Sequence, residues 1–227
     1  MRKGQQGFTL IEIAIVLVII GLLLGGVLKG QELIQNARVR NIISQQDGIK
    51  AAFFGFQDRY RGIPGDYLAA NANTNIPNAG LTCGGDGNSL IETTTTIGSP
   101  EFICAWYHLS RAGFVTGSYN GTDNAAGPNN SPVNPFGGVM QLVFDNMYIG
   151  PAATPPTNIH NIKTGINIPS AVLAEVDRKI DDGSPVTGNF RFSPFNGANA
   201  TCVTGAGDAR AWDNTGAQTV CGGVSLN

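Results

Sequence analysis

The feature that most constrains this chain is an apolar segment near its N-terminus. Residues 8–28 are apolar except for Thr9 and Glu12, and Glu12 is the only charged residue among them. About 20 apolar residues in a helix span the hydrocarbon core of a bilayer, so the segment predicts a membrane-spanning helix. Arg2 and Lys3 precede it, and the positive-inside rule places this end of the helix in the cytoplasm.

Two ordinary explanations of the segment leave something unexplained. A secretory signal peptide would be followed by small residues in an A-x-A-like cleavage pattern, whereas residues 22–30 read LLLGGVLKG. A plain membrane anchor fits the length and the hydropathy, but it gives no reason for Glu12. A carboxylate inside a membrane segment costs free energy and usually marks a function that involves a partner.

The stretch from Gly7 to Glu12, G-F-T-L-I-E, resembles the processing site of class III signal peptides. Type IV pilins and type II secretion pseudopilins carry such peptides, and the resemblance extends over residues 1–60. It implies that a prepilin peptidase cuts after Gly7 on the cytoplasmic side and that the new terminus at Phe8 is N-methylated. It also implies that Glu12 pairs with such an amine on a neighbouring subunit, which relieves the cost of the buried charge.

The helix is expected to continue beyond the membrane. The first proline is Pro64, within a stop signal at residues 62–65. Gly21 and Gly25 form a G-x-x-x-G pair, which either permits close helix packing or is simply tolerated. Apolar residues then recur in one helical stripe at Ile42, Ile49, Phe53, Phe56 and Tyr60. The expected domains are a leader (1–7), a long helix (8–61, membrane-spanning over about 8–28) and a globular head (62–227).

The head has the composition of a loop-rich α+β domain. Most of the 31 glycines and 12 prolines follow residue 61. We expect an antiparallel sheet packed on the amphipathic half of the long helix, which is the simplest α+β arrangement and also what the resemblance implies. The predicted strands are Glu101–Trp106, Gly138–Phe144, Asn189–Phe192 and Thr219–Val224, and the predicted helices are Ala105–Ala112 and Ser170–Ile180.

Four cysteines allow three disulfide pairings. We favour the local pairs Cys83–Cys104 and Cys202–Cys221, because each brackets a glycine-rich segment, with four buried free thiols as the alternative. The second pair looks like the disulfide-bounded loop near the C-terminus of many type IV pilins.

A cation site in the head is a further candidate. Asp177, Asp181 and Asp182 lie at the end of a predicted helix, where acidic side chains oppose the helix dipole. Calcium, which prefers oxygen ligands, would compensate them, as would Arg178, Lys179 or backbone amides. No other cofactor is expected. Asp66 is interpreted as the cap of a short helical turn, and residues 86–88 resemble only part of a calcium loop.

The sequence contains no recognisable catalytic constellation. The two histidines, His108 and His160, lack metal-ligand spacing, and neither G-x-S-x-G nor a Walker A loop occurs. Trp212 is interpreted as a packing residue, with contact to a ligand or a neighbouring subunit as its alternative. The net charge of −2 gives no basic footprint for nucleic acid.

We therefore expect a structural subunit of a type IV pilus or of a type II secretion-like pseudopilus. The resemblance implies as partners a prepilin peptidase, an inner-membrane assembly platform with its ATPase, and copies or relatives of the chain. It implies a bacterial inner-membrane location with the head in the periplasm, before assembly. The alternatives are a membrane-tethered binding module that depends on calcium and an anchored enzyme.

Overall fold

A computed structural model describes residues 9–80, 83–94, 96–215 and 218–226. Its α-helices are α1 (Leu10–Tyr60), α2 (Ala69–Asn75), α3 (Glu101–Arg111) and α4 (Ser170–Ile180). Its strands are β1 (Gln141–Asp145), β2 (Ile159–Lys163), β3 (Phe190–Phe192), β4 (Val203–Thr204), β5 (Ala211–Trp212) and β6 (Gly223–Leu226). The chain divides into two compact units, one up to Arg38 and one from Val39 onward. The expected leader, with Gly7 and Phe8, lies outside the described residues.

The N-terminal unit consists of the first part of helix α1. Every described residue before Val39 is exposed or half-buried, and the exposed fraction of Leu10 reaches 90%. By length and composition this helix qualifies as a membrane span. A continuous apolar helix with no intramolecular cover needs lipid or another protein around it.

The second unit is organised around the remaining part of α1. Ile42, Ile49, Phe53 and Phe56 are buried and Tyr60 is half-buried, which confirms the predicted apolar stripe. The helix ends at Tyr60 because the chain turns at once. Arg61 has a positive φ of 55°, and a Cβ atom on Gly62 would lie only 2.6 Å from the Tyr67 ring.

A four-stranded antiparallel sheet with the order β1-β2-β6-β3 forms the centre of this unit. The expected α+β class with an antiparallel sheet and disulfides is confirmed. One core cluster joins α1, α3 and β1 through side chains such as Phe56, Trp106 and Leu142. A second joins α4, β3 and β5 through Leu173, Phe190 and Trp212.

The predicted elements of this unit have mixed outcomes. Helix Ser170–Ile180 is confirmed at both ends, and the last three predicted strands overlap β1, β3 and β6. The predicted strand at Glu101–Trp106 is wrong, because these residues form the first part of α3. The predicted helix Ala105–Ala112 overlaps the second part of α3, whereas strands β2, β4 and β5 and the short helix α2 were not predicted.

Two disulfides fix the loops of the second unit. Cys83 bonds Cys104 and Cys202 bonds Cys221, which are the local pairs favoured from the spacing, and no free cysteine remains. The first bond ties the loop before residue 84 to helix α3. The second ties the segment before β4 to the residues that lead into β6.

Candidate functional site

The first turn of α1 holds the carboxylate of Glu12 in a capping box. Glu12 Oε2 accepts hydrogen bonds from the backbone N–H of Thr9 at 2.8 Å and from its hydroxyl at 2.7 Å. In return, the backbone N–H of Glu12 donates to Thr9 Oγ1 at 3.4 Å. This reciprocal arrangement satisfies N–H groups that a helix start leaves unpaired. Glu12 therefore has a local role that the sequence reasoning did not assign.

The same carboxylate lies on an exposed helix whose neighbouring residues are apolar. Glu12 is the only charged residue described before Lys29, and Leu10, Ile11 and Ile13 beside it are all exposed. An anionic group in apolar surroundings is stabilised by a cation that it can hydrogen-bond. Any contact between Glu12 and an amine at Phe8 falls outside the described residues.

The three aspartates proposed as a cation site do converge at the end of α4. One carboxylate oxygen from each of Asp177, Asp181 and Asp182 lies within 4.8 Å of the others. Asp177 is fully buried and accepts from Trp212 Nε1 at 2.7 Å and from the Gly183 N–H at 3.1 Å. Burial raises the pKa of Asp177 to about 6, against the two hydrogen bonds.

The basic residues beside these aspartates form ion pairs with a different acidic residue. Arg178 and Lys179 both pair with Glu175, one turn back on α4. Instead, backbone amides compensate Asp181, which accepts from the N–H groups of Asn189 and Phe190. Backbone amides were one of the alternatives expected from the sequence to compensate the negative charge of these aspartates. Calcium at this group stays a prediction.

A second acidic group, which the sequence reasoning did not assemble, contains Asp66, Asp86 and Glu101. The prediction that Asp66 caps a following helical turn is wrong, since Leu68 is the N-cap residue of α2. The Asp66 carboxylate accepts from three consecutive backbone N–H groups, those of Gly87, Asn88 and Ser89, and so shapes the loop that follows the first disulfide cysteine. Burial raises the pKa of both Asp66 and Glu101. Glu101 comes from α3, and no local spacing could have joined it to the others.

Two aromatic residues from the sequence analysis have structural partners. His108 is buried; its Nδ1 accepts from the Gly65 N–H at 3.0 Å and its Nε2 lies 3.2 Å from the Cys83 carbonyl. Burial lowers the pKa of His108 to about 4, so the ring is neutral near pH 7. Trp212 is buried against Phe190 and Phe192. Trp212 therefore acts in packing, as interpreted from the sequence, and His108 also has a structural role.

Comparison with known proteins identifies the N-terminal segment. Residues 2–28 match the family model described as the prokaryotic N-terminal methylation motif. This match confirms the resemblance carried by Gly7, Phe8 and Glu12. No curated protein and no solved structure matches the chain.

Proposed function

From the premise that this chain carries the N-terminal methylation motif, the signature of type IV pilins and pseudopilins, we propose that it is a structural subunit of a helical filament. In this proposal the prepilin peptidase cuts the chain after Gly7 and methylates the new terminus at Phe8. Helix α1 stays on the mature protein and first anchors it in the inner membrane, with the second unit in the periplasm. The motif itself supports a pilin- or pseudopilin-like substrate of this peptidase that assembles with other pilins.

The observation that carries the proposal is Glu12 at the start of an uncovered apolar helix. Lipid covers such a helix before assembly, and neighbouring helices cover it afterwards. A carboxylate buried in either setting without a cation costs several kcal/mol. The amine created at Phe8 supplies the cation. In the filament, the Glu12 carboxylate pairs with the amine of a neighbouring subunit. Entry into the filament is therefore favourable only at the axial position where these two groups meet.

The energy for assembly comes from outside the chain in this proposal. An assembly platform with its ATPase extracts the subunit, since the sequence contains no Walker A loop. The filament is either a surface pilus or a periplasmic pseudopilus that moves secreted proteins. Intact-mass spectrometry on membranes and on sheared extracellular filaments separates these two outcomes. Abundant methylated chain beginning at Phe8 in the sheared fraction indicates a surface pilus.

The proposal is tested with variants of Glu12 in cells that contain the peptidase and the assembly machinery. We expect Glu12→Ala to insert in the membrane and to be cut normally, but to enter filaments at least tenfold less. The variant loses the pairing of the carboxylate with the amine, and a loss of about 1.4 kcal/mol already lowers an equilibrium constant tenfold. The readout is the ratio of filament-bound to membrane-bound chain. Normal incorporation of this variant contradicts the proposal.

Glu12→Gln separates the charge from the helix cap. The glutamine side chain still accepts the two hydrogen bonds from Thr9, but it has no charge to pair with an amine. We expect this variant to fail in assembly like Glu12→Ala. Normal assembly of Glu12→Gln would mean that Glu12 acts only as a cap, and the pairing argument would be wrong.

A further inference from the structure

Helix α1 carries one exposed ion pair, and a second joins its last turn to Arg61, the residue that follows the helix; their charges run in opposite order along the chain. Lys29 pairs with Glu32 at 2.7 Å, and their side chains are 66% and 59% exposed. Asp58 lies 3.6 Å from Arg61, and both side chains are 83% exposed. The first pair reads positive then negative, and the second reads negative then positive. Both pairs have the same spacing of three residues.

One further residue lies four positions before each ion pair, so the two sets have the same spacing. Gly25 lies four residues before Lys29, and Phe54 lies four residues before Asp58. Spacings of four and three place Gly25, Lys29 and Glu32 on one side of α1, and Phe54 and Asp58 share a side four residues apart. Arg61 follows the helix, and its guanidinium lies 3.6 Å from the Asp58 carboxylate. No heavy atom lies within 4 Å of the position that a Cβ atom on Gly25 would occupy, so this face is open. Phe54 is 54% exposed, unlike its buried neighbours Phe53 and Phe56.

We propose that two copies of this chain dock through these faces, with their α1 helices parallel and displaced by 29 residues. The displacement is the same for Gly25 to Phe54, Lys29 to Asp58 and Glu32 to Arg61. At a rise of 1.5 Å per residue it corresponds to a stagger of about 43 Å. The N-terminal unit of one copy thus contacts the second unit of the other. This inference rests on the proposed filament function and assigns the register of one subunit contact.

The order of the charges selects the parallel orientation. In parallel helices at this displacement, Lys29 faces Asp58 and Glu32 faces Arg61, so both contacts are attractive. In antiparallel helices that bring the same faces together, Lys29 meets Arg61 and Glu32 meets Asp58, so both contacts are repulsive. Like charges across an interface suppress the wrong arrangement while opposite charges favour the right one.

The shapes of the two faces are also complementary. Phe54 is a large, half-exposed ring that lines a groove with Gln57, Asp58 and Arg61. Gly25 and the adjacent Gly26 present bare backbone, and small residues let a facing side chain approach a helix closely. Docking would cover an aromatic ring that is otherwise half in water, next to two charge pairs that fix the register.

Cross-linking between copies in intact filaments tests the register. All four native cysteines are in disulfides, so introduced cysteines are the only free thiols. Chains with Lys29→Cys and chains with Asp58→Cys are produced together and treated with a short bis-maleimide. We expect a dimer on denaturing gels. The matched control pairs Lys29→Cys with Ala51→Cys, an exposed position about 10 Å away along the helix, and should give at least fivefold less dimer.

Charge exchange provides the second measurement. Lys29→Glu and Asp58→Lys are each expected to lower filament incorporation at least fivefold, and the double variant is expected to restore it. Arg40→Glu, an equal reversal at an exposed position outside the contact, should have little effect. Filaments that form normally but show no specific 29–58 cross-link, or a double variant as poor as the single ones, overturn the inference alone. Absence of wild-type filaments in competent cells overturns the proposed function and this inference with it.

Discussion

At the scale of single residues, His108 connects three parts of the second unit. Its ring accepts from the backbone after α1, lies against the carbonyl of Cys83 and stacks on Phe56 at a centroid distance of 6.2 Å. Only a neutral imidazole has a free nitrogen that accepts the Gly65 N–H. The packing around the end of α1 therefore depends on the protonation state of one buried ring.

This dependence predicts acid sensitivity with a defined sign. The pKa of His108 is about 4 when folded and 6.5 when unfolded, so the unfolded chain binds the proton first as the pH falls. The stabilisation is complete above pH 6.5 and is lost between pH 6.5 and 4. Compared with His108→Gln, the wild type should lose roughly 3 kcal/mol of unfolding free energy over this range.

Urea unfolding of the mature protein in detergent, followed by tryptophan fluorescence at several pH values, measures this difference. Trp106 and Trp212 are both buried and report on the two core clusters. Burial also lowers the pKa of His160, but this residue is present in both proteins and cancels in the comparison. Parallel stability curves for wild type and variant would contradict the assigned role of His108.

At the scale of elements, helix α1 carries neighbouring phenylalanines with different tasks. Phe56 is fully buried among Tyr60, Tyr67 and Phe114, whereas Phe54 is half exposed. We expect Phe56→Ala to lower the unfolding free energy by about 3–5 kcal/mol, since a buried ring leaves a cavity. Phe54→Ala should cost under about 0.5 kcal/mol. Urea unfolding of the two variants measures both values.

The same pair distinguishes stability from assembly. Phe54→Ala should fold like the wild type and yet enter filaments less well, if Phe54 covers Gly25 of a neighbouring copy. Equal destabilisation by the two substitutions would show that Phe54 contributes to the fold instead.

Whether an element could be predicted depends on whether its own sequence shows the pattern of a helix or a strand. Helix α4 follows Pro169 and shows a clear amphipathic pattern, so both of its ends were predicted. In α3, residues 101–109 are all buried, and its second half was predicted as the helix Ala105–Ala112 whereas its first half was predicted as a strand. Its aromatic and β-branched residues favour a strand locally, but packing inside the first core cluster decides for a helix.

The candidate site was predictable only where its residues are close in sequence. Glu12 and the group at Asp177 were recognised because their members lie within one or two helical turns. Asp66 and Glu101 are separated by 35 positions, and only the fold brings them together. The T-x-x-E spacing of Thr9 and Glu12 predicts the capping of α1. Because Glu12 is charged and lies in an apolar segment, it was interpreted only as an assembly residue.

At the scale of the whole molecule, the two units differ in how they bury apolar surface. The N-terminal unit covers none of its large apolar side chains within the described chain. The second unit has its own core, which includes Val39, Ile42, Ile49 and Phe56 from α1. A unit with a complete core folds alone, whereas an uncovered apolar helix depends on lipid or on other subunits.

This difference predicts the behaviour of two truncated chains. Residues 36–227 retain every α1 side chain of both core clusters, so this chain should be a soluble, folded monomer that unfolds cooperatively and does not enter filaments. Residues 62–227 correspond to the head expected from the sequence, but they lack Ile49, Phe53 and Phe56. The loss of these buried side chains removes one wall of the first core cluster and should leave the shorter chain unfolded or aggregated.

Gel filtration and the dispersion of amide signals in NMR spectra distinguish these states under conditions that keep the disulfides oxidised. Both chains contain all four cysteines, so a difference between them cannot come from a missing disulfide. A well-folded 62–227 chain would mean that the sheet and α3 form a core without α1, and that the second half of α1 is only an attachment. An unfolded 36–227 chain would mean that the second unit needs the N-terminal helix or its neighbours, and the division into two units would have no thermodynamic meaning.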